Sequence, residues 1–490
     1  MRQLSPLDTQ FLMIESPTTL GHVGSLVMVD PSTTDGDTWN VDTVRALIES
    51  RLHLVPIFRQ RLAEVPFGLT RPYWVDDPYF DLEFHIRELA IPQPGSSAQL
   101  GEQVARLHAR ALDRQRPLWE LYVITGLEDG RAAVYSKVHH AAIDGVSGAE
   151  LLSTLLDIRP EPRQVEPEVE RFDPRPLPSK PNLLGRGLAS MLSDQVQIAR
   201  TVPPALRHLD QLPGAGSHGI ARGISDAASA VARLTGAKGR AEVSRTSRDL
   251  KAPRTPLNGP VTAHRRFSFG SVPLADIKTV RRRYGGTVND IVMVLCTTAL
   301  RRWLLDHGRL PDVPLVAAVP VSVRRRAQEG SAGNQISVML AELPTHLADP
   351  EARLEAMHAS MELAKGRFGA VPPTLLRDLS RLMPTAGSGL AARSLFNLAT
   401  VPGPPFNLFI SHVPGPQVPL YVAGARVQGV YPVSAVTSLT GALNITLFSY
   451  NRALDFGLIA CRELLPDVWN LIGYLSDALA ELVELSQAAS

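Results

Sequence analysis

The sequence predicts an α/β protein of two domains joined by a proline-rich linker. Three observations predict it: a length of 490 residues, strand-like and helix-like apolar patterns on both sides of the middle, and a proline-dense interruption between them. A chain this long exceeds the size at which one hydrophobic core usually keeps growing, so it divides.

In residues 1–158, Val23–Val29 has strand character, and Val41–Leu54 carries apolar residues at helical spacing. Leu100–Leu112 is a second amphipathic helix. Two β-rich runs, Leu121–Thr125 and Ala132–Val138, flank Glu128-Asp129-Gly130-Arg131, and the Asp-Gly pair marks a hairpin turn. Residues 159–256 form the linker region. Seven prolines fall between Pro160 and Pro181, which precludes a packed element there. Leu183–Leu212 and Ile220–Leu234 then show helical apolar spacing broken by Pro203-Pro204 and by glycines. Residues 257–490 form the second domain, with a helix over Val288–Leu305, strands over Leu315–Val319 and Ile336–Leu340, and a final helix near Val468–Ser486.

Composition narrows the function. A hydrophobic content of 44% and a charged content of 20% are ordinary for a globular protein and exclude wholesale disorder. A net charge of +2 gives no general electrostatic reason to expect nucleic acid as a partner. The only two cysteines, Cys296 and Cys461, sit in apolar runs; one disulfide is arithmetically possible, and free thiols in a reducing compartment are the expectation. No secretory signal opens the chain, and no apolar stretch reaches the roughly 18–20 residues that cross a bilayer. Any work on membrane lipid is expected from the cytoplasmic surface. Between Lys180 and Arg254, twelve Lys/Arg face five Asp/Glu on leucine-rich segments, which include Arg186, Arg200, Arg207 and Arg222. That is the character of an interfacial binder, although the same leucines could equally pack linker helices onto the domains. The sequence carries no signal for oligomeric state.

The segment His139-His140-Ala141-Ala142-Ile143-Asp144-Gly145 stands out chemically. It follows the strand Ala132–Val138 and precedes a helix whose start is marked by Ser147 and, three residues on, Glu150. The histidines therefore sit in a strand-to-helix loop on a rigid support. Imidazole, with an ordinary pKa of about 6.5, is mostly neutral and basic at pH 7 and can take the proton of an attacking hydroxyl. One carboxylate nearby can orient a ring or pair with an arginine, and a glycine lets the chain turn sharply. At near-average Asp and Gly usage, four fixed residues of this kind recur by chance in roughly one chain in a thousand. The bland alternative is a pair of loop histidines hydrogen-bonded to backbone. A metal site is disfavoured, because adjacent histidines cannot easily face one ion and no further ligand set completes the shell. No P-loop, dinucleotide fingerprint or Gly-x-Ser-x-Gly is present.

His-His-x-x-x-Asp-Gly resembles the signature of the CoA-dependent acyltransferase superfamily, which includes chloramphenicol acetyltransferases and peptide-synthetase condensation domains. Within it the chain resembles bacterial wax ester synthase/diacylglycerol acyltransferases over nearly its whole length. The matching blocks are Leu4-Ser5-Pro6-Leu7-Asp8, Phe11-Leu12, Glu15 and His22-Val23-Gly24; Arg116-Pro117-Leu118-Trp119-Glu120; Leu257-Asn258-Gly259-Pro260 with Arg265-Arg266-Phe267; Val288-Asn289-Asp290; Val319–Arg324; and Val413-Pro414-Gly415-Pro416. The resemblance implies two chloramphenicol-acetyltransferase-like domains around a central channel, with acyl-CoA and a lipid alcohol meeting at His140 from opposite faces. It implies His140 as catalytic base, His139, Asp144 and Gly145 holding the loop, and no cofactor beyond acyl-CoA as co-substrate. Diacylglycerol is the expected acceptor, with a fatty alcohol or glycolipid as the alternative, and peripheral contact with the cell membrane or lipid droplets is expected. Asn289 and Asp290 either shape the site and help hold an oxyanion, or are an N-cap pair. Pro117-Leu118-Trp119 is expected to pack rather than touch substrate. One departure from the family is His412, where Asn often precedes Val-Pro-Gly-Pro.

Overall fold

A computed structural model describes residues 1–34, 38–143, 154–168, 172–190, 250–322, 336–369, 404–438 and 440–488. The first half runs β1 (Arg2–Gln3), α1 (Pro6–Met13), β2 (His22–Asp30), α2 (Val41–Glu49), β3 (Gln60–Ala63), β4 (Tyr73–Asp76), α3 (Leu82–His85), β5 (Ile86–Ala90), α4 (Ser97–His108), β6 (Trp119–Thr125) and β7 (Ala132–His139). The second runs β8 (Arg265–Pro273), α5 (Leu274–Tyr284), α6 (Val288–Asp306), β9 (Leu315–Ser322), β10 (Ile336–Leu343), α7 (Pro350–Gly369), β11 (Leu408–Pro414), β12 (Tyr421–Val422), β13 (Ala425–Val433), β14 (Leu443–Tyr450), β15 (Ala453–Cys461) and α8 (Trp469–Ala488).

The expected strands are all present, each reaching one to three residues further than its apolar pattern. Asp129 and Gly130 both take positive φ, 62° and 68°, the conformation that an Asp-Gly hairpin turn uses. Two helices differ from expectation. The helix expected over Val41–Leu54 ends at Glu49, and Leu52–Leu54 form a separate 3-10 turn. Pro56 disfavours helical geometry at Val55, and Arg51 turns inward to a buried bidentate pair with Asp157. The helix expected over Leu100–Leu112 spans Ser97–His108 instead: a Ser96/Gln99 capping box opens it, and the Lys137 ammonium donates to the Leu107 and Arg110 carbonyls at its end.

One six-stranded sheet has the order β10-β9-β11-β14-β15-β8, and the other β12-β13-β2-β7-β6-β5. A three-stranded sheet, β1-β4-β3, flanks the latter. Strand β14 is buried along its whole length, as expected of a strand covered on both faces. Helix α6 is apolar nearly all round and correspondingly buried from Asp290 to Leu300.

The sheets do not respect the division of the chain at residue 257. Strand β13, from the second half, pairs antiparallel with β2 and completes the first sheet. Its fit against the second sheet is close: a Cβ on Gly457 would lie 1.8 Å from the Pro432 carbonyl oxygen. Asp455 on β15 accepts the Val430 N–H (2.8 Å) and the Ser271 hydroxyl (2.6 Å). A single hydrophobic core accordingly contains Leu26, Leu100 and Tyr135 from the first half with Phe267, Leu443 and Leu475 from the second. The Asn258 of Leu257-Asn258-Gly259-Pro260 serves this packing: its amide donates to the Phe406 carbonyl and its oxygen accepts from Asn407. The described part of the proline-rich region has no regular structure up to residue 179; residues 180–190 are helical. The rest of the expected basic helices, 191–249, lies outside the described residues.

Candidate active site

The site begins with local signals in the first fifteen residues. Ser5 caps α1: its hydroxyl accepts the Asp8 N–H (3.1 Å) and donates to the Asp8 carboxylate (2.6 Å). Pro6 follows at the first helical position, where no N–H is needed. The short helix that results delivers Phe11 and, just past its end, Glu15 to the His139-His140 segment.

His139 closes β7, and His140 opens a 3-10 turn through Ala142. Backbone bonds fix both. The His139 N–H donates to the Leu118 carbonyl (2.9 Å), and the His140 N–H donates to the Gly21 carbonyl (2.8 Å). The His139 ring accepts the Ala141 N–H at Nδ1 (3.0 Å), so the ring proton is carried by Nε2. That Nε2 lies 3.1 Å from Glu15 Oε1, an oblique contact. The same carboxylate accepts the Gly21 N–H (2.8 Å) and an Arg114 N–H (2.8 Å). Burial alone would raise the Glu15 carboxyl; His139, Arg114 and the Gly21 N–H outweigh it and bring it down to about 2. Glu15 is thus an anion that ties α1, the Gly21 strand entry and His139 together. Gly21 must be small, because a Cβ there would meet His139 Nε2 at 3.0 Å and the Phe11 carbonyl at 3.2 Å.

His140 itself is half-buried, its ring stacked on Phe11 with centroids 3.9 Å apart and planes 18° from parallel. Behind it the histidines continue inward. His22 sits opposite His139 in the β2–β7 register, edge-on at 5.8 Å, and His108 stands edge-on to His22 at 6.1 Å. Burial, with Lys137 and His139 adding to it, lowers His22 to about 3. Burial also holds His108 well below its ordinary value. Both are neutral at pH 7. His108 Nε2 meets the Ser434 carbonyl (3.0 Å), which can only accept, so Nδ1 takes the Tyr135 hydroxyl proton (2.8 Å). A charged, accessible imidazole is therefore not the character of these two; they are a neutral floor beneath His139.

The other blocks fall into place around this. Trp119 packs between Phe58 and His85 and donates to the Phe58 carbonyl (2.9 Å), so Pro117-Leu118-Trp119 is packing, with Leu118 also holding His139. Glu120 pairs with the buried Lys137 ammonium (2.9 Å). Asp144, Gly145, Ser147 and Glu150 lie outside the described residues; the chain returns at Thr154, whose carbonyl, with Asp157, is held by Arg51. At α6 the cap is Thr287, and Asp290 is its partner three residues on, in a reciprocal capping box. Of the two expectations for Asn289 and Asp290, the N-cap pair is corrected: the cap is Thr287, two residues earlier, and both Asn289 and Asp290 lie inside the first turn. Asp290 also faces His358 (3.4 Å) and Lys365 (3.6 Å) on α7, and none of its contacts among the described residues reaches His139 or His140. Cys296 and Cys461 are separate buried thiols; burial pushes Cys296 up to about 12. His412 is partly buried with its Nε2 lacking a hydrogen-bond partner among the described residues, and burial lowers its pKa. Gly415 crosses directly over the Phe448 ring, beside a cavity of about 870 Å³ lined by Leu156, Pro162, Pro414 and Leu420.

Residues 4–292 match the sequence profile of the wax ester synthase/diacylglycerol acyltransferase catalytic domain, and residues 332–483 match that of the WS/DGAT C-terminal domain. The chain belongs to this family. It is an acyltransferase of the wax ester synthase/diacylglycerol acyltransferase type. The catalytic profile extends past residue 257 into α6, in keeping with a first sheet and core that draw on both halves. A protein of Mycobacterium tuberculosis H37Rv named as a putative diacylglycerol O-acyltransferase is 36% identical over 488 residues, covering 99% of this chain and 91% of its own. Another from the same organism, named as a probable diacylglycerol O-acyltransferase, is 35% identical and covers 98% and 99%. Among solved structures, the wax ester synthase/diacylglycerol acyltransferase from Marinobacter aquaeolei VT8 superposes with a TM-score of 0.68 at 31% identity, covering 99% of this chain and all of that one.

The family blocks near the N-terminus had been legible as matches but without roles. Structure supplies them: Phe11 stacks on His140, and Glu15 braces His139. His22, His108 and Arg114 join the site only through strand register and tertiary packing, which no local signal announces.

Proposed function

We propose that this chain transfers a long-chain acyl group from acyl-CoA to the free hydroxyl of diacylglycerol, releasing triacylglycerol and CoA. The carrying observation is the geometry of His140: half-buried, stacked on Phe11, and fixed through Gly21 and Leu118 at the end of β7. The acceptor hydroxyl gives its proton to the His140 imidazole as its oxygen attacks the thioester carbonyl. The tetrahedral adduct then collapses, the carbon–sulfur bond breaks, and the imidazolium returns the proton to the departing CoA sulfur. His139, Asp144 and Gly145 hold the loop; Asn289 and Asp290 support the helix start of the second half. No protein nucleophile is needed, because the thiolate is already a good leaving group. Wax ester formation from a fatty alcohol is the second reading, supported by the name of the Marinobacter relative at 31% identity. Among the described residues no helix is long and apolar enough to cross a membrane. The proposed place of work is the inner face of the cell membrane or a lipid droplet, reached peripherally from the cytoplasm.

The test is purified protein with labelled palmitoyl-CoA and either diacylglycerol or a long-chain alcohol, beside His140→Ala. Triacylglycerol should form, and the variant should lose on the order of 10²–10⁴ in rate, the range for a lost general base. Product from the alcohol alone would move the function to wax esters. Near-normal turnover by His140→Ala would overturn the role of the imidazole.

A further inference from the structure

The turn that joins β3 to β4 carries a side chain the fold does not use. Phe67, in Pro66-Phe67-Gly68, is 91% exposed and adopts φ +63°, the left-handed region that bulky residues avoid. Glycine or asparagine would take this conformation with less strain and leave no aromatic ring in water. Both costs, strained backbone and exposed ring, go uncompensated inside the molecule.

The surroundings indicate what compensates them. Gly187, in the helical stretch 180–190, packs against Val65 and Thr70, the residues flanking the turn. The next residue, Leu188, is 52% exposed, while Leu183 is buried with Val65, Tyr73 and Val75 and anchors the stretch. Lys180 and Arg186 lie exposed on the same stretch, which opens the segment where twelve basic residues face five acidic ones. The nearby exposed Glu64 faces Arg114 at 3.7 Å, so its charge is partly countered. Past the turn, the Leu4 N–H donates to the Pro72 carbonyl (3.0 Å) and Arg71 donates to the Leu4 carbonyl (2.8 Å), bonds that do not involve Phe67.

We infer that Phe67, together with the exposed Leu188, Lys180 and Arg186 of the helical stretch packed behind its turn, forms the membrane-docking surface of this enzyme, and that its partner is an anionic phospholipid bilayer. The ring and the leucine enter the boundary between headgroups and acyl chains; the cations hold the protein to the charged surface. The inference rests on the proposed lipid acceptor, which must be reached from the bilayer without a spanning helix. Of the leucines here, Leu183 packs the stretch onto the first half, and Leu188 is exposed. Arg200, Arg207 and Arg222 lie outside the described residues.

The full-length protein is sedimented with vesicles of phosphatidylcholine alone and of phosphatidylcholine with phosphatidylglycerol, at low and high salt. Phe67→Asn suits the positive φ, so the variant keeps the fold. Wild type should bind the anionic vesicles and be released by salt. Phe67→Asn should bind them at least about tenfold more weakly, with Leu188→Gln adding to the loss and Lys180→Gln/Arg186→Gln lowering only the salt-sensitive part. Turnover of detergent-dispersed substrates by Phe67→Asn should stay within about twofold of wild type, since the turn lies outside the catalytic contacts. Unchanged vesicle binding by Phe67→Asn, or binding equal on neutral vesicles and insensitive to salt, overturns the docking surface while leaving the acyltransferase reading in place. Lost binding in a protein that acylates no lipid alcohol would keep the surface and overturn the proposed acceptor.

Discussion

Glu15→Gln removes a charge from the contact that braces His139 and leaves an acceptor for the Gly21 N–H. Its effect on stability follows from the carboxyl's shift from 4.5 to about 2 in a side chain that is 12% exposed. That shift corresponds to about 3 kcal/mol in favour of the ionised form. A depressed carboxyl contributes stability above its unfolded pKa and loses it as pH falls through the folded one. The wild-type advantage over Glu15→Gln in urea unfolding should therefore be about 3 kcal/mol at pH 7, with less than half remaining near pH 3. Its effect on turnover is indirect, because Glu15 positions His140 through Gly21 and His139 rather than touching substrate. A displacement of the base on the order of 1 Å costs about 10²-fold in rate, the loss expected of Glu15→Ala, whereas Glu15→Gln keeps the Gly21 bond and should lose about tenfold. The KM for acyl-CoA should stay within about twofold, since the carboxylate lies beneath the histidines. Release of the CoA thiol, read with a chromogenic reagent and normalised to folded protein, measures both constants. A kcat for Glu15→Ala within about threefold of wild type, or a rise in KM at constant kcat, would refute the positioning argument.

Acyl transfer should be direct, so the double variant Cys296→Ala/Cys461→Ala should retain activity within about twofold at a stability cost of about 1–3 kcal/mol from two lost core groups. A labelled acyl group that survives denaturation on either cysteine of the wild type would falsify this. Gly457→Ala should be among the most damaging single-methyl additions, about 2–4 kcal/mol by urea unfolding, because the methyl would sit 1.8 Å from the Pro432 carbonyl oxygen. A loss below about 0.5 kcal/mol would show that β13 has room to move.

The parts of the fold that were legible in the sequence are those whose causes are local. The β-rich run Ala132–Val138 placed the histidine pair at a strand end, and Asp129-Gly130 marked the turn before it. The apolar run Ile291–Cys296 within Val288–Leu305 identified the buried helix α6. The end of α2 at Glu49 was not legible, because Pro56 restricts only Val55 and the inward turn of Arg51 depends on Asp157. What escaped is non-local. His22 reaches the site because it is in register with His139, more than a hundred residues later, and register is a property of two strands together. Glu15 follows a helix of only eight residues, too short to announce itself by periodicity, and its value depends on Arg114 and His139 arriving from elsewhere. That β13 leaves its own half to complete the first sheet is likewise invisible in Ala425–Val433, whose alternation fits either sheet.

The borrowed strand has a consequence for synthesis. When the ribosome has released β7, strand β2 is still an open sheet edge, and its partner lies about 290 residues further along the chain. At about 5–20 residues per second, that edge stays unsatisfied for roughly 15–60 s. An exposed, apolar strand edge of nine residues is a template for pairing with another nascent chain. Yield in a slow-translating or overloaded host should therefore be limited by this interval, and faster translation or a holding chaperone should raise the soluble fraction without altering the finished enzyme.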